Sequence, residues 1–86
     1  MDSFKILFKR SAEKELRRIS PPYLSQILKK IHSLAAEPRP EGIQMLKGEN
    51  RHFRLRQGDY RIIYEVDTVR GEVVIIKIGH RREVYE

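Results

Sequence analysis

Apolar residues recur with two different periods along this chain, and the change from one to the other divides it into a helical and a sheet-forming part. Leu24, Ile27, Leu28, Ile31, Leu34 and Ala35 repeat at helical spacing. Ser20-Pro21-Pro22 stands just before them, a serine N-cap with proline in the first turn, so this spacing predicts an amphipathic helix. Lys29, Lys30 and His32 fall between the apolar positions and read as its solvated face. Two prolines and a glycine in residues 37–42 end it.

Beyond that break the period falls to two. Residues 52–57, 60–66 and 72–79 read as three strands, joined by Gln57-Gly58-Asp59 and by residues 67–71, both short enough for antiparallel hairpins. At the other end, residues 4–8 (FKILF) suit a first strand. Ser11 is the expected N-cap of a first helix over residues 12–19, with Ala12, Leu16 and Ile19 on one face. Glu13 and Glu15 lie early in it and Arg17 and Arg18 late, as the helix dipole prefers. The expected fold is α+β: an N-terminal strand, a helical hairpin and a three-stranded antiparallel meander, with both helices on one face of a small sheet. Eighty-six residues without repeats or a low-complexity tail predict a single domain over 1–86.

Alternation then sorts the strand residues into two faces. Phe53, Leu55, Ile62, Tyr64, Val66, Val74, Ile76 and Ile78 are expected beneath the helices. His52, Arg54, Arg56, Arg61, Ile63, Val73, Ile75, Lys77 and, if the alternation persists, Arg81 are expected on the other side. An antiparallel sheet can simply leave one face wet. Cations of one sign set against each other across strands cost stability, however, and a ligand explains their presence. Arginine forks make paired, charge-assisted hydrogen bonds to phosphate, so RNA or DNA backbone is the leading ligand class.

Composition narrows this further. Eighteen Lys and Arg against twelve Asp and Glu give a net charge of +6 and a pI near 9.9, which favours polyanions or an acidic protein partner. With no cysteine, disulfides and thiolate metal sites are excluded, and His32, His52 and His80 lack ligand spacing, so neither metal nor cofactor is expected. The longest apolar run, Val73-Val74-Ile75-Ile76, is far below the roughly 20 residues of a membrane span. No cleavable hydrophobic segment opens the chain, so a soluble cytoplasmic protein away from membranes is expected.

The terminal GHRREVYE, residues 79–86, gathers an imidazole, two guanidiniums and a phenol. These are the parts of a metal-free ribonuclease, in which a base takes the 2′-hydroxyl proton, cations stabilise the phosphate in flight and an acid protonates the 5′-oxygen. A cyclic phosphate is the expected product. Among the tyrosines, alternation sends Tyr64 into the core and leaves Tyr60 beside a turn, with Tyr85 as the free aromatic.

With these residues in place, essentially the whole chain resembles the RelE/ParE superfamily of bacterial and archaeal toxins. The resemblance rests on Phe8-Lys9-Arg10-Ser11-Ala12, Leu46-Lys47-Gly48, HFRLR opening at His52, GDYRIIYEV and the closing GHRREVY, in that order. It implies the toxin of a type II toxin-antitoxin system, with a cognate antitoxin, the ribosome and mRNA as partners and no requirement for a homo-oligomer. RelE-like members cut mRNA in the ribosomal A site, whereas ParE-like members inhibit DNA gyrase; a shared fold does not choose between them. The basic constellation implies the RelE-like activity, with a ParE-like gyrase inhibitor or a non-catalytic RNA-binding module as alternatives.

Carried onto this sequence, the resemblance implies that Arg54, Arg56 and Arg61 polarise the phosphate. Arg81 then stabilises or protonates the leaving group, and Tyr85 orients a base. Lys47, Arg56, Lys77 and Arg82 are the expected substrate-binding residues. RelE has lysine at the place of His52, and arginine is a poor proton acceptor whereas histidine, near pKa 6.5, is a good one. The acid-base role therefore falls to His52 or His80, the first also readable as the flank of a loop and the second as a structural residue at a strand end.

Overall fold

A computed structural model describes residues 3–41, 43–46 and 52–82. In chain order it forms β1 (Lys5–Phe8), α1 (Arg10–Leu16), α2 (Pro21–Ser33), β2 (Gln44–Met45), β3 (His52–Gln57), β4 (Tyr60–Asp67) and β5 (Glu72–His80). The strands make one sheet in the order β1-β5-β4-β3-β2. β3, β4 and β5 are the antiparallel meander. β1 joins its β5 edge in parallel and β2 joins its β3 edge antiparallel, so the α+β fold is built on a mixed, five-stranded sheet.

Both hairpins are set by a glycine at positive φ. Gly58 (φ 59°) occupies the first position of the two-residue β3–β4 turn, with Asp59 at negative φ, the arrangement of a type II′ turn. Gly71 (φ 66°) closes the β4–β5 loop. That loop is held by Asp67, whose Oδ1 accepts from the N–H groups of Val69 and Arg70.

The core lies between the helices and one face of the sheet. Ala12 of α1, Ile27 and Ile31 of α2, and Leu34 are fully buried against Phe53, Leu55, Ile62, Tyr64, Val66, Val73, Ile75 and Ile78. Each large aliphatic side chain buried this way contributes about 1.5–3 kcal/mol. Tyr64 is completely buried, and its hydroxyl donates to the Pro38 carbonyl oxygen at 2.8 Å. This bond ties the connection after α2 to the sheet. Burial pushes the Tyr64 hydroxyl up to about 12, against a smaller downward pull from Arg39.

Three sequence expectations change. In β5 the buried residues are Val73, Ile75 and Ile78, while Val74 and Ile76 are half-buried. Tyr64 pairs with Ile75 but Ile63 with Lys77, which leaves Ile76 without a residue opposite on β4. A β-bulge at Ile76 thus reverses the alternation partway along the strand. The first helix starts at Arg10 with Lys9, not Ser11, as N-cap. Lys9 still donates its N–H to Ile75 of the sheet while its carbonyl accepts from Glu13, so the strand passes straight into the helix. The same helix ends at Leu16 rather than Ile19, although Ile19 is still buried. Finally, β2 adds a strand that two residues are too few to announce by periodicity. Ser20 is the N-cap of α2 as the serine-proline signal predicts, without a side-chain capping bond.

Candidate nucleic-acid interface

The pairing register arranges the uncovered face in rows across the strands. One row is Gln44, Arg54, Ile63 and Lys77; the next is Arg56, Arg61 and Gly79. On the other side of Arg54, His52 lies opposite Glu65, then Val74 and Leu7. Arg54, Arg56 and Arg61 therefore form a triangle of guanidinium-bearing positions at the β3–β4 end of the sheet. Ile63 is buried on this face, flanked across strands by the aliphatic stems of Arg54 and Lys77.

Arg54 carries the electrostatic consequence. Desolvation, then repulsion from Arg56 and from Arg61, lowers its pKa; arginine stays charged despite such a shift. The Arg54 Nη2 donates to Gln44 Oε1 of β2, which holds the guanidinium in the face. Arg61 folds toward the turn, and its Nη1 donates to the carbonyl oxygens of Gly58 and Tyr60, each at 3.0 Å. Arg81 reaches the same turn from β5: its N–H donates to the Asp59 carbonyl at 2.7 Å and its Nε lies 3.8 Å from Asp59 Oδ1. Both side chains of that ion pair are more than half exposed, so solvent screens it and an anion can compete for Arg81.

The two candidate histidines lie on opposite sides of the sheet. His52 shares the arginine face. His80 pairs with Tyr60 in the row continuing from Gln57 on the helix-covered side, and its ring meets Tyr60 edge-on with centroids 5.7 Å apart. Arg82 is exposed, and its N–H donates to His80 Nδ1 at 3.3 Å. Lys47 and Tyr85 lie outside the described residues. Among the described residues no three of His, Cys, Asp and Glu gather as a metal-holding group.

A matching toxin family covers nearly this entire arrangement. Residues 6–85 match the family described as the ParE toxin of type II toxin-antitoxin system, parDE. The chain belongs to this toxin family. Toxin RelG of Mycobacterium tuberculosis is 26% identical over 83 residues, spanning 95% of each chain. The RelBE2 toxin-antitoxin complex from the same organism superposes with a TM-score of 0.81 at 27% identity, covering 92% of this chain and 99% of the other. The isolated RelE toxin of E. coli gives a TM-score of 0.82 at 25% identity, covering 91% of this chain and 84% of the other.

In this toxin Lys77 is not an isolated cation. Its Nζ bonds Glu15 Oε2 of α1 at 3.1 Å, while Glu15 Oε1 accepts the N–H of Ile78 at 2.8 Å. β1 pairs β5 only as far as Ile75. α1 follows along the remaining edge, where Glu15 supplies the acceptor that a longer β1 would have supplied. Sequence reasoning placed Glu15 only as an early acidic residue of a helix, and a contact spanning 63 positions leaves no local signal. Gln44 and Asp59, the partners of Arg54 and Arg81, were missed for the same reason.

Proposed function

We propose that this toxin is a ribosome-dependent mRNA endoribonuclease that inhibits translation in the cytoplasm without a metal ion. The observation that carries the reading is the gathering of Arg54, Arg56 and Arg61 on one face, with Arg56 set directly opposite Arg61 across the strands; like charges so placed repel. A polyanion relieves that repulsion, and the phosphates of an RNA backbone accept the paired, charge-assisted hydrogen bonds that guanidinium forks donate. The relationship to toxins named RelG and RelE supports the same reading.

In this mechanism the arginines hold the scissile phosphate and its neighbour. His52, on the arginine face, accepts the ribose 2′-hydroxyl proton as the 2′-oxygen attacks phosphorus. The P–O5′ bond breaks, and the guanidiniums, Arg81 included, stabilise the charge on the phosphate and the leaving oxygen, which takes its proton from water while the protonated His52 returns its own to solvent. The product pair is a 2′,3′-cyclic phosphate and a 5′-hydroxyl. His80, across the sheet, is the second candidate for proton transfer. Tyr85 stacks on a base, and Lys47, Lys77 and Arg82 contact flanking phosphates, Lys77 more weakly because Glu15 already neutralises it. The ribosome fixes the message in position, an orientation that one open sheet face does not impose. A cognate antitoxin is the protein partner, as in the solved toxin-antitoxin complexes of RelE relatives.

The test is primer extension on translated mRNA with the purified toxin, beside a gyrase supercoiling assay. The expected result is cleavage on ribosomes that Arg61→Ala and Arg81→Ala abolish, in metal chelator as well as without it. Intact message with inhibited supercoiling would overturn the nuclease reading in favour of gyrase. Strong RNA binding with neither activity would favour a binding module.

A further inference from the structure

Three depressions run end to end along the seam between the helices and the sheet, from α2 beside the β3–β4 turn to α1 beside the end of β5, the last of them reaching Lys77 at the edge of the arginine face. The first is lined by Lys29, Lys30 and Ser33 of α2 and shares Gln26 and Gln57 with the second. The second, a cavity of about 340 Å³, is walled by Tyr23, Tyr60 and His80. The third shares Tyr60 and His80 with it and continues to Arg18 and Lys77. The groove is thus basic at both ends and aromatic in the middle. Its rings form a row, Tyr23 to Tyr60 at 5.8 Å and Tyr60 to His80 at 5.7 Å. Tyr23 is 52% exposed, although its position on α2 is beside the core-facing Leu24.

Both acids on the rim are engaged by cations, Glu15 by Lys77 and Asp59 by Arg81. Neither therefore repels a polyanion strongly. Gln57 Nε2 and Gln26 Oε1 approach at 3.4 Å across the cavity wall, and the other polar atom of each amide is of the kind that pairs with a base edge. An apolar protein segment would find some apolar surface along the groove but would have to pass the cations Lys29, Lys30 and Arg18 at its ends. Single-stranded RNA is matched along all of it, with phosphates at the basic ends and a base among the rings.

We propose that the Tyr23–Tyr60–His80 cavity is a nucleobase subsite for single-stranded RNA, with neighbouring phosphates held by Lys29 and Lys30 on one side and by Arg18 on the other. The Gly58-Asp59 turn is the shared wall: Asp59 lines the cavity and also meets Arg81, while Gly58 accepts from Arg61. RNA leaving the arginine face at this turn would place its next base in the cavity. The proposal rests on RNA being the ligand of this toxin, and it extends the bound strand beyond the cleavage face.

The experiment measures fluorescence anisotropy of a labelled, short single-stranded oligoribonucleotide with the full chain across a salt series. Tyr23→Ala is expected to weaken binding by about tenfold, the loss of one base stack, with the salt slope unchanged because no phosphate contact is removed. Tyr23→Phe should restore the affinity. Lys29→Ala with Lys30→Ala should instead flatten the salt slope. Arg56→Ala, on the opposite face, reports on the RNA reading independently. If Arg56→Ala weakens binding while Tyr23→Ala binds as wild type, the subsite is overturned and the RNA reading stands. If the unmodified toxin binds no RNA, both fall. Loss of antitoxin binding in Tyr23→Ala with RNA affinity intact would also overturn the subsite, because the cavity would then serve the protein partner.

Discussion

The two faces of the β3–β4 hairpin are made by alternate residues of the same strands and obey opposite rules. Beneath the helices, Leu55, Ile62 and Tyr64 remove apolar surface from water, and Ile62 and Tyr64 are completely buried. On the other side burial first, and then repulsion from Arg56 and Arg61, lowers the Arg54 pKa. Folding stability explains the first face and does not require the second. Thr or Ser would serve a wet sheet without that repulsion, so the arginine face is the one on which the proposed RNA contacts are placed.

The sharpest way to break this comparison is to truncate one residue on each side. Ile62→Ala should cost about 2–5 kcal/mol in urea unfolding, because a fully buried site does not collapse around the missing atoms. Equal destabilisation by Arg56→Ala would abolish the distinction between the faces.

Tyr64 tests the buried face through pH. Its folded pKa, about 12, lies above the usual value near 10, so the unfolded chain loses its proton first. Its stabilising contribution is complete below pH 10 and is lost as pH rises through 12, at about 1.4 kcal/mol per pH unit. In alkaline unfolding curves Tyr64→Phe should lack this component, at a neutral-pH cost of about 1 kcal/mol for the bond to Pro38.

Glu15 joins the two regions, since one oxygen completes the backbone bonding of β5 and the other holds Lys77. Glu15→Ala should cost about 1–3 kcal/mol by leaving the Ile78 N–H unsatisfied. Hydrogen exchange at Ile78 should accelerate with it. Glu15→Gln keeps an acceptor for that N–H, and should retain most of the protection while freeing the Lys77 charge for an anion.

The smallest effect has the opposite sign. Arg56→Ala should raise stability by roughly 0.2–1 kcal/mol at low salt, as like charges across strands are separated, and the gain should shrink as salt screens them. A loss of stability instead would mean that the arginine face helps to hold the fold together.

Much of this arrangement is legible along the chain. The α2 stripe ending at Leu34 is unambiguous because one period persists over several turns, and Ser20 with Pro21 marks its start. In β3 and β4 simple alternation separates Phe53 and Leu55 from Arg54 and Arg56. In β5 it misleads, since the bulge at Ile76 exchanges Val74 for Val73 and Ile76 for Ile75 in the core. Val73 and Val74 are the same residue type, as are Ile75 and Ile76, so composition offers no correction. The candidate site divides similarly. The three arginines are named by their parity, whereas the seating of Lys77 on Glu15 and of Arg81 on Asp59 depends on residues brought together from distant positions.

By itself the sequence determined the two helical periods, the hairpins, the absence of thiol chemistry, and a basic face opposite an apolar one. These follow from local properties: side-chain direction repeats every two or every 3.6 residues, and charge is additive. Only the tertiary structure decided where β5 changes parity, which acids seat Lys77 and Arg81, and how the helix–sheet seam joins Tyr23 to Tyr60 and His80. Each of those depends on register between strands or on packing between elements, and a one-residue step in either turns a side chain to the other side of the sheet. That is why HFRLR announced a cationic face, while the aromatic groove behind it became visible only once α2 was laid against the strands.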